Sequence, residues 1–335
     1  MRRVRVQLKY DNSDITADIA PMLLSFTYTD QASGSADDIS ITLEDTAGLW
    51  RNGWFPEKGA TLTAGLHCFE WLRNGDDAYL SFGEFSIDDI TLSGPPSTVQ
   101  IKAVSAHIDK SFRTEKKSSS HEQITLKEMA GKYAAESGFS LFYDSEYNPR
   151  FERIDQRSES DLGFLDRVCR ANGLRLKVTE KRIVIYSAAL YDARSPVLML
   201  SPSHPLTGWS FRSKAHDVYS ACAVKYWDAE TKSSKFHTFT PSSPPPVGST
   251  LYVNARVESL AEAEQRAKKE LRAKNKEEVA GDIKMIGEPA AAAGQNVQCA
   301  GFGAFDGTYS IEKAVHSVTR SGYTTSLSIK NTLEY

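Results

Sequence analysis

Three short blocks near the start of this chain recur, in the same order, near its end. Gly83-Glu-Phe-Ser-Ile-Asp88 resembles Gly307-Thr-Tyr-Ser-Ile-Glu312, and downstream Val99-Gln-Ile-Lys102 resembles Leu327-Ser-Ile-Lys330. Upstream, Gly59-Ala-Thr-Leu-Thr-Ala-Gly-Leu66 matches Gly294-Gln-Asn-Val-Gln-Cys-Ala-Gly-Phe302 more loosely, with one extra residue. Glycine and apolar alternation recur by chance in β-rich chains, so one block alone would mean little. Three in a fixed order point to a duplication: two similar β domains, residues 1–105 and 201–335, flanking a segment 106–200 of different character.

The flanks read as strands. Ile39, Ile41 and Leu43 alternate with Ser40, Thr42 and Glu44, the period-two pattern of a half-buried strand. Further strands are expected at Thr61–Leu66, Tyr79–Phe82, Phe85–Leu92 and Val99–Val104, with turns at Lys58-Gly59, Asn74-Gly75 and Gly94-Pro95-Pro96. Val4 and Val6, alternating with Arg3 and Arg5, read as a first strand with one polar face rather than a nucleic-acid arm.

The middle changes period. Thr125-Leu-Lys-Glu128 is a capping box, followed by Leu126, Met129, Ala130, Tyr133 and Ala134 at helical spacing, with Gly138 placed to end the helix. A second helix is expected from Asp161 to Ala171, with Leu162, Leu165, Val168 and Cys169 inward and Gly173 at its end. Leu174, Leu176 and Val178 then alternate into a strand, which Lys181 and Arg182 turn back into Ile183–Tyr186. These features make residues 106–200 a small α+β insert. Pro196 to Pro205 reads as a linker, followed by strands at Val218–Tyr226 and Lys235–Phe239 and a proline loop at 241–246. Ser259-Leu-Ala-Glu262 opens a last helix, about 259–276, with the thin inner stripe Leu260, Ala263, Ala267 and Leu271.

At 335 residues the chain suits two or three domains. Its formal charge of −3 does not suit a general nucleic-acid binder. Cys68, Cys169, Cys222 and Cys299 form no CxxC pair and lack histidines at ligand spacing, so reduced, buried thiols made in a reducing cytoplasm are expected. The N-terminus lacks a signal-peptide apolar run, and no stretch reaches the length of a membrane-spanning helix.

Several segments together resemble the baseplate hub proteins of contractile phage tails, the late control protein D family. They are Ser35-Ala-Asp-Asp-Ile-Ser-Ile-Thr-Leu-Glu-Asp45 with Trp50 and Trp54-Phe55-Pro56, then Leu162-Gly-Phe-Leu-Asp-Arg-Val-Cys-Arg-Ala-Asn-Gly-Leu174. Gly301-Phe-Gly-Ala-Phe-Asp-Gly-Thr-Tyr-Ser-Ile311 follows, leading to His316 and Gly322-Tyr-Thr-Thr325. The resemblance implies an α+β, mostly β chain with two tube-type β-barrel or sandwich domains. It implies a homotrimeric ring with approximate sixfold symmetry, set between the hexameric tail tube protein and a trimeric central spike protein among other baseplate proteins. DNA would only pass through an acid-lined lumen, and no stable membrane association is expected. The expected location is the virion tail baseplate, assembled in the bacterial host cytoplasm. Similar domains begin type VI secretion spike proteins; ending at Tyr335, without their long extension, the chain reads as the hub alone.

No catalytic, metal or cofactor constellation is expected. Asp37 with Asp38, or Asp88 with Asp89, could be imagined as a glycosidase pair, but neighbours on a strand point to opposite faces. His316, without a nucleophile motif nearby, reads as a hydrogen-bonded structural histidine. Trp50, Trp54 and Phe55 are the candidate subunit or tube interface, against the alternative of local packing. A cell-wall or carbohydrate binding module is a rival function, and a glycoside or peptidoglycan hydrolase component a more distant one.

Overall fold

The computed structural model describes residues 2–71, 75–105, 110–179, 182–228, 232–246, 248–254 and 260–335. Alternation makes Arg3–Tyr10 (β1) a strand with one wet face: Val6 and Leu8 are buried, Arg3 and Arg5 exposed. After the two-residue β2 (Ser13–Asp14) and a short helix α1 (Thr16–Ile19) come β3 (Leu23–Gln31), β4 (Asp38–Glu44), β5 (Thr61–Phe69), β6 (Ala78–Ser93) and β7 (Thr98–Val104). They pair in the order β1-β5-β6-β7-β4-β3, every pair antiparallel. Ile39, Ile41 and Leu43 point into the core as expected. The two strands expected at Tyr79–Phe82 and Phe85–Leu92 are one, β6, because Gly83 at φ +88° carries the chain through a register shift against β5 without ending it. Asn74 lies outside the described residues.

The insert contains α2 (Lys110–Thr114), β8 (Lys117–Thr125), α3 (Leu126–Glu136), β9 (Ser140–Asp144), β10 (Arg150–Glu159), α4 (Asp161–Ala171), β11 (Leu174–Thr179), β12 (Arg182–Ser187) and α5 (Ala188–Asp192). The capping box forms: the Glu128 amide donates to Thr125 Oγ1 at 3.3 Å and the Thr125 amide donates to Glu128 Oε2 at 2.9 Å. On α4 the buried stripe is Phe164, Leu165, Val168 and Cys169. Leu162 is only half-buried, because Phe164, four residues before Val168, centres the stripe one position further round. Lys181 lies outside the described residues.

Beyond the insert, β13 (Leu198–Leu200) occupies the expected linker and pairs in parallel with a later strand. Flanking prolines hide its alternation, which leaves Met199 exposed and Leu200 buried. Next come β14 (Leu206–Ser213), β15 (Tyr219–Asp228), β16 (Ser233–Phe239), β17 (Ser249–Val253) and α6 (Leu260–Asn275), then β18 (Val279–Ile286), β19 (Asn296–Cys299), β20 (Gly307–Thr319) and β21 (Gly322–Asn331). Strands β16-β15-β17 form a separate small sheet under α6, through Cys222, Val224, Ala263, Ala267 and Leu271. Leu260, expected in that stripe, is 53% exposed, since the core under α6 starts one turn later at Ala263. Ser259, its expected cap, lies outside the described residues.

The remaining late strands pair in the order β13-β19-β20-β21-β18-β14. Matched with β1-β5-β6-β7-β4-β3, two of the register shifts coincide, while the β5–β6 shift between Ala64 and Gly65 has no counterpart in the shorter β19–β20 pair. β6 shifts against β7 between Ile87 and Asp89, and β20 against β21 between Ile311 and Lys313. β3 shifts against β4 between Leu23 and Ser25, and β14 against β18 between Leu206 and Gly208. Gly59 and Gly294, at φ +88° and +86°, donate to the Ile87 and Ile311 carbonyls, each at 2.8 Å. Those isoleucines donate back to the carbonyls of Ala60 (3.0 Å) and Gln295 (2.8 Å). One difference stands out: β1 is antiparallel to β5, whereas β13 is parallel to β19. The registers also correct the sequence alignment, because Ala103 corresponds to Ile329 and Ile101 to Leu327, two residues from the match made above. A two-residue slip keeps every side chain on its face, so pattern alone cannot detect it.

Strands from both ends of the chain form a single 13-stranded sheet, joined where β20 pairs with β3 from Lys313↔Gln31 to Thr319↔Ser25. Ion pairs clamp the insert and α6 onto this seam. Glu312, at the β20 register shift, meets Arg175 at 2.6 Å and Lys276 at 3.1 Å. Lys276 also meets Asp192 at 3.2 Å, and Arg272 pairs with Asp192. Lys177 lies between Asp30 and Asp37. Burial alone would raise the Glu312 carboxyl, but Arg175 and Lys276 outweigh it and hold it at about 2.

With its folded pKa below the ordinary 4.5, Glu312 contributes stability that is complete above pH 4.5 and lost as pH falls toward about 2. Glu312→Gln is therefore expected to cost about 3 kcal/mol at pH 7, the scale of breaking a buried pair, with a shrinking penalty at pH 3. Urea melts of both proteins at the two pH values measure this.

Candidate functional site

Among the described residues no group of three or more His, Cys, Asp or Glu is placed to hold a metal. All four cysteines are buried and unpaired, and burial pushes their thiols up. The imagined carboxylate pairs do not act as pairs. Asp88 and Asp89, at the β6 register shift, are both exposed. Asp37 is buried and faces Asp30 across Lys177, while Asp38 is a half-buried residue of β4. Burial and the neighbouring Asp30 push the Asp37 carboxyl up, against the pull of Lys177. This convergence joins two distant parts of the sequence, and nothing in the local pattern marks it.

His316 is 2% exposed, at the centre of the seam. Its Nε2 lies 3.0 Å from the Ala291 carbonyl, which can only accept, so Nε2 donates and Nδ1 accepts from the Tyr323 hydroxyl at 2.6 Å. Burial lowers its pKa. Both ring nitrogens are committed to structure.

The aromatic trio is divided by the loop after β4. Asp45 shapes this loop: its carboxylate accepts from the Trp50 amide at 3.0 Å and pairs with Arg51 at 3.3 Å. The Trp54 amide donates to the Leu49 carbonyl at 3.0 Å, closing the turn. Trp50 is 6% exposed and packs edge-on against Trp54, with ring centroids 5.6 Å apart. Trp54 and Phe55 are 43% and 49% exposed. Together the three rings line a mostly apolar cleft of about 380 Å³ whose floor includes Leu8, Ile41 and Leu62. Trp50 thus belongs to the first core, whereas Trp54 and Phe55 form a lip open to solvent.

Sequence reading missed a second apolar surface. On the small sheet, Trp227, Phe236 and Tyr252 are exposed on the face turned away from α6. Phe236 and Tyr252 pack edge-on at 6.4 Å. The signal was available in the alternation of Tyr226 with Trp227, but an aromatic on a polar face looks like noise until the opposite face is seen to be covered.

No family model matches the chain. Over 182 residues, 54% of this chain, it is 30% identical to the probable baseplate hub protein of Escherichia phage 186. It is 28% identical to that of Escherichia phage P2 over 184 residues. The chain is a relative of phage baseplate hub proteins. Each match spans 44% of the hub protein's own length, less than half. The fold is that of phage tail proteins. A prophage MuSo2 tail protein from Shewanella oneidensis superposes with a TM-score of 0.72 over 98% of each chain at 14% identity. A tail protein from Neisseria meningitidis gives 0.70 over 98% of this chain and 96% of that one at 13% identity. An Escherichia coli component of the type VI secretion system gives 0.58 over 99% of this chain and 77% of that one at 14% identity.

In this hub relative, truncating the two tryptophans should have opposite consequences. Trp50→Ala is expected to cost about 3–5 kcal/mol of stability, as for other buried aromatics. Trp54→Ala should cost less than about 1 kcal/mol, leave a folded monomer and weaken assembly. Chemical denaturation and light scattering on both variants check the pair.

Proposed function

We propose that the chain is a structural, non-enzymatic subunit of a contractile-tail baseplate hub, acting as a ring that adapts the tail tube to the central spike. The observation that carries this reading is the coincidence of strand order and register shifts between the early and late strands. A chain holding two copies of one unit contributes two like faces to a ring. Three such chains would present six like faces to a hexameric tube while keeping threefold symmetry for a trimeric spike. On this reading the two units are the early strands β1 and β3–β7 and the late strands β13, β14 and β18–β21, with the insert and the α6 layer outside the repeated pattern; the boundaries 1–105, 106–200 and 201–335 expected from the sequence would cut β13 from the second unit.

In this reading the mechanism is mechanical. The ring holds its shape through the seam and the ion-pair clamp while other baseplate proteins attach outside. DNA passes through the lumen, kept from sticking by carboxylates. The lip of Trp54 and Phe55 is a contact for a neighbouring subunit or the tube protein. Assembly takes place in the host cytoplasm and the finished part resides in the virion tail.

Light scattering across a concentration series, with and without tail tube protein, tests the reading. It predicts a species of three times the chain mass that co-elutes with the tube protein. A monomer under all conditions would contradict it. Retention on purified cell-wall material without co-assembly would favour a binding module instead.

A further inference from the structure

The apolar cleft behind Trp54 and Phe55 has a closed counterpart in the late strands. It is lined by Ile41, Leu62, Ile87 and Ile101, on β4, β5, β6 and β7. Through the strand registers these correspond to Ile283, Val297, Ile311 and Leu327, on β18, β19, β20 and β21. The loops that follow the corresponding strands β4 and β18 differ. Residues 287–295 form the shorter loop and close down: Ala291 is 1% exposed, in one core with the four counterparts, and its carbonyl accepts from His316 Nε2. Residues 45–60 form the longer loop and leave an opening, with Trp50 and Pro56 buried and Trp54 and Phe55 exposed at the lip. One unit closes with an alanine what the other leaves as an aromatic-walled cleft of about 380 Å³, so the repeated fold does not itself require the cleft.

The lining specifies an occupant. Its charged residues are Asp18 and Glu57, both acidic and both exposed. Trp50 adds an unmet donor, because its indole Nε1 is buried without an acceptor. Bare apolar surface calls for a large apolar side chain, the carboxylates for a cation beside it, and the indole for a carbonyl. A peptide segment with Lys or Arg next to a Leu- or Phe-sized residue offers all three. An acyl chain offers only the first.

Resting on the reading of the Trp54–Phe55 lip as a hub contact, we infer that this cleft is the socket for one large apolar side chain of a different tail protein, carried next to a basic residue in that protein. Trp50, Trp54 and Phe55 grip the anchor, and Asp18 and Glu57 select its flank.

Selection from a random-peptide display library on the immobilised full chain, followed by calorimetric titration of the synthesised consensus peptide, tests the socket. The expected consensus pairs a large apolar residue with Lys or Arg. Gly53→Phe supplies a blocked comparison: Gly53 lines the cleft, and a Cβ added there meets nothing within 4 Å, so the new ring enters open space. It should weaken the peptide at least tenfold with unchanged melting. Asp18→Asn combined with Glu57→Gln, both on the surface, should weaken it about three- to tenfold at low salt and less at high salt. No enrichment, an acid-flanked consensus, or parent-like binding by both variants would overturn the socket. If the parent chain still forms a trimer that co-elutes with tail tube protein, the hub reading survives that result; a monomer under all conditions would overturn both. A Gly53→Phe chain that loses its own oligomer would make a second copy the occupant and overturn the separate partner.

Discussion

The antiparallel pairing of β3 with β20 is the joint on which the rest of the structure depends. It merges strands from the two ends of the chain into one sheet and brings Glu312 beside Arg175 and Lys276. The extra residue at the β20 register shift breaks strict alternation there. Burying that carboxylate would be costly alone; two cations from separate elements make it tolerable. The same joint buries His316 against Ala291 and Tyr323, so neutral and charged hydrogen bonds meet along one strand.

Other contacts reinforce the joint. The Trp71 indole donates to the Gly287 carbonyl at 2.6 Å, tying the end of β5 to the late strands. The Tyr186 hydroxyl donates to the Ala32 carbonyl at 2.8 Å, and Lys177 reaches Asp30 and Asp37 from β11. These groups draw the insert onto the seam from its side. The small sheet under α6 is held from the other side, through Arg272 and Lys276 on Asp192. Pulling the insert or α6 away from the seam would expose buried charges on both sides of each tie.

Much of this was legible in the residues, and the failures have physical causes. Strong alternation in β4 and the Thr125–Glu128 capping box are local signals, and both formed as expected. Leu198–Leu200 was hidden because flanking prolines resemble a linker and its partner lies almost a hundred residues away in sequence. The repeat was visible in Gly59 and Gly294, whose backbone conformation and hydrogen bonds match, but a period-two pattern could not fix the length of the β20–β21 hairpin. Trp50, Trp54 and Phe55 were recognisable as a group. Their division into one core residue and two surface residues depends on the fold of the loop around Asp45, which no local pattern encodes.

The central claim is that one chain carries two like units around a shared axis. Rotational analysis of electron-microscopy end views of the purified oligomer tests it most directly. The account predicts six similar lobes around an open pore, with a weaker threefold modulation from the inserts. Three lobes without a sixfold component, or a particle without a central pore, would contradict it.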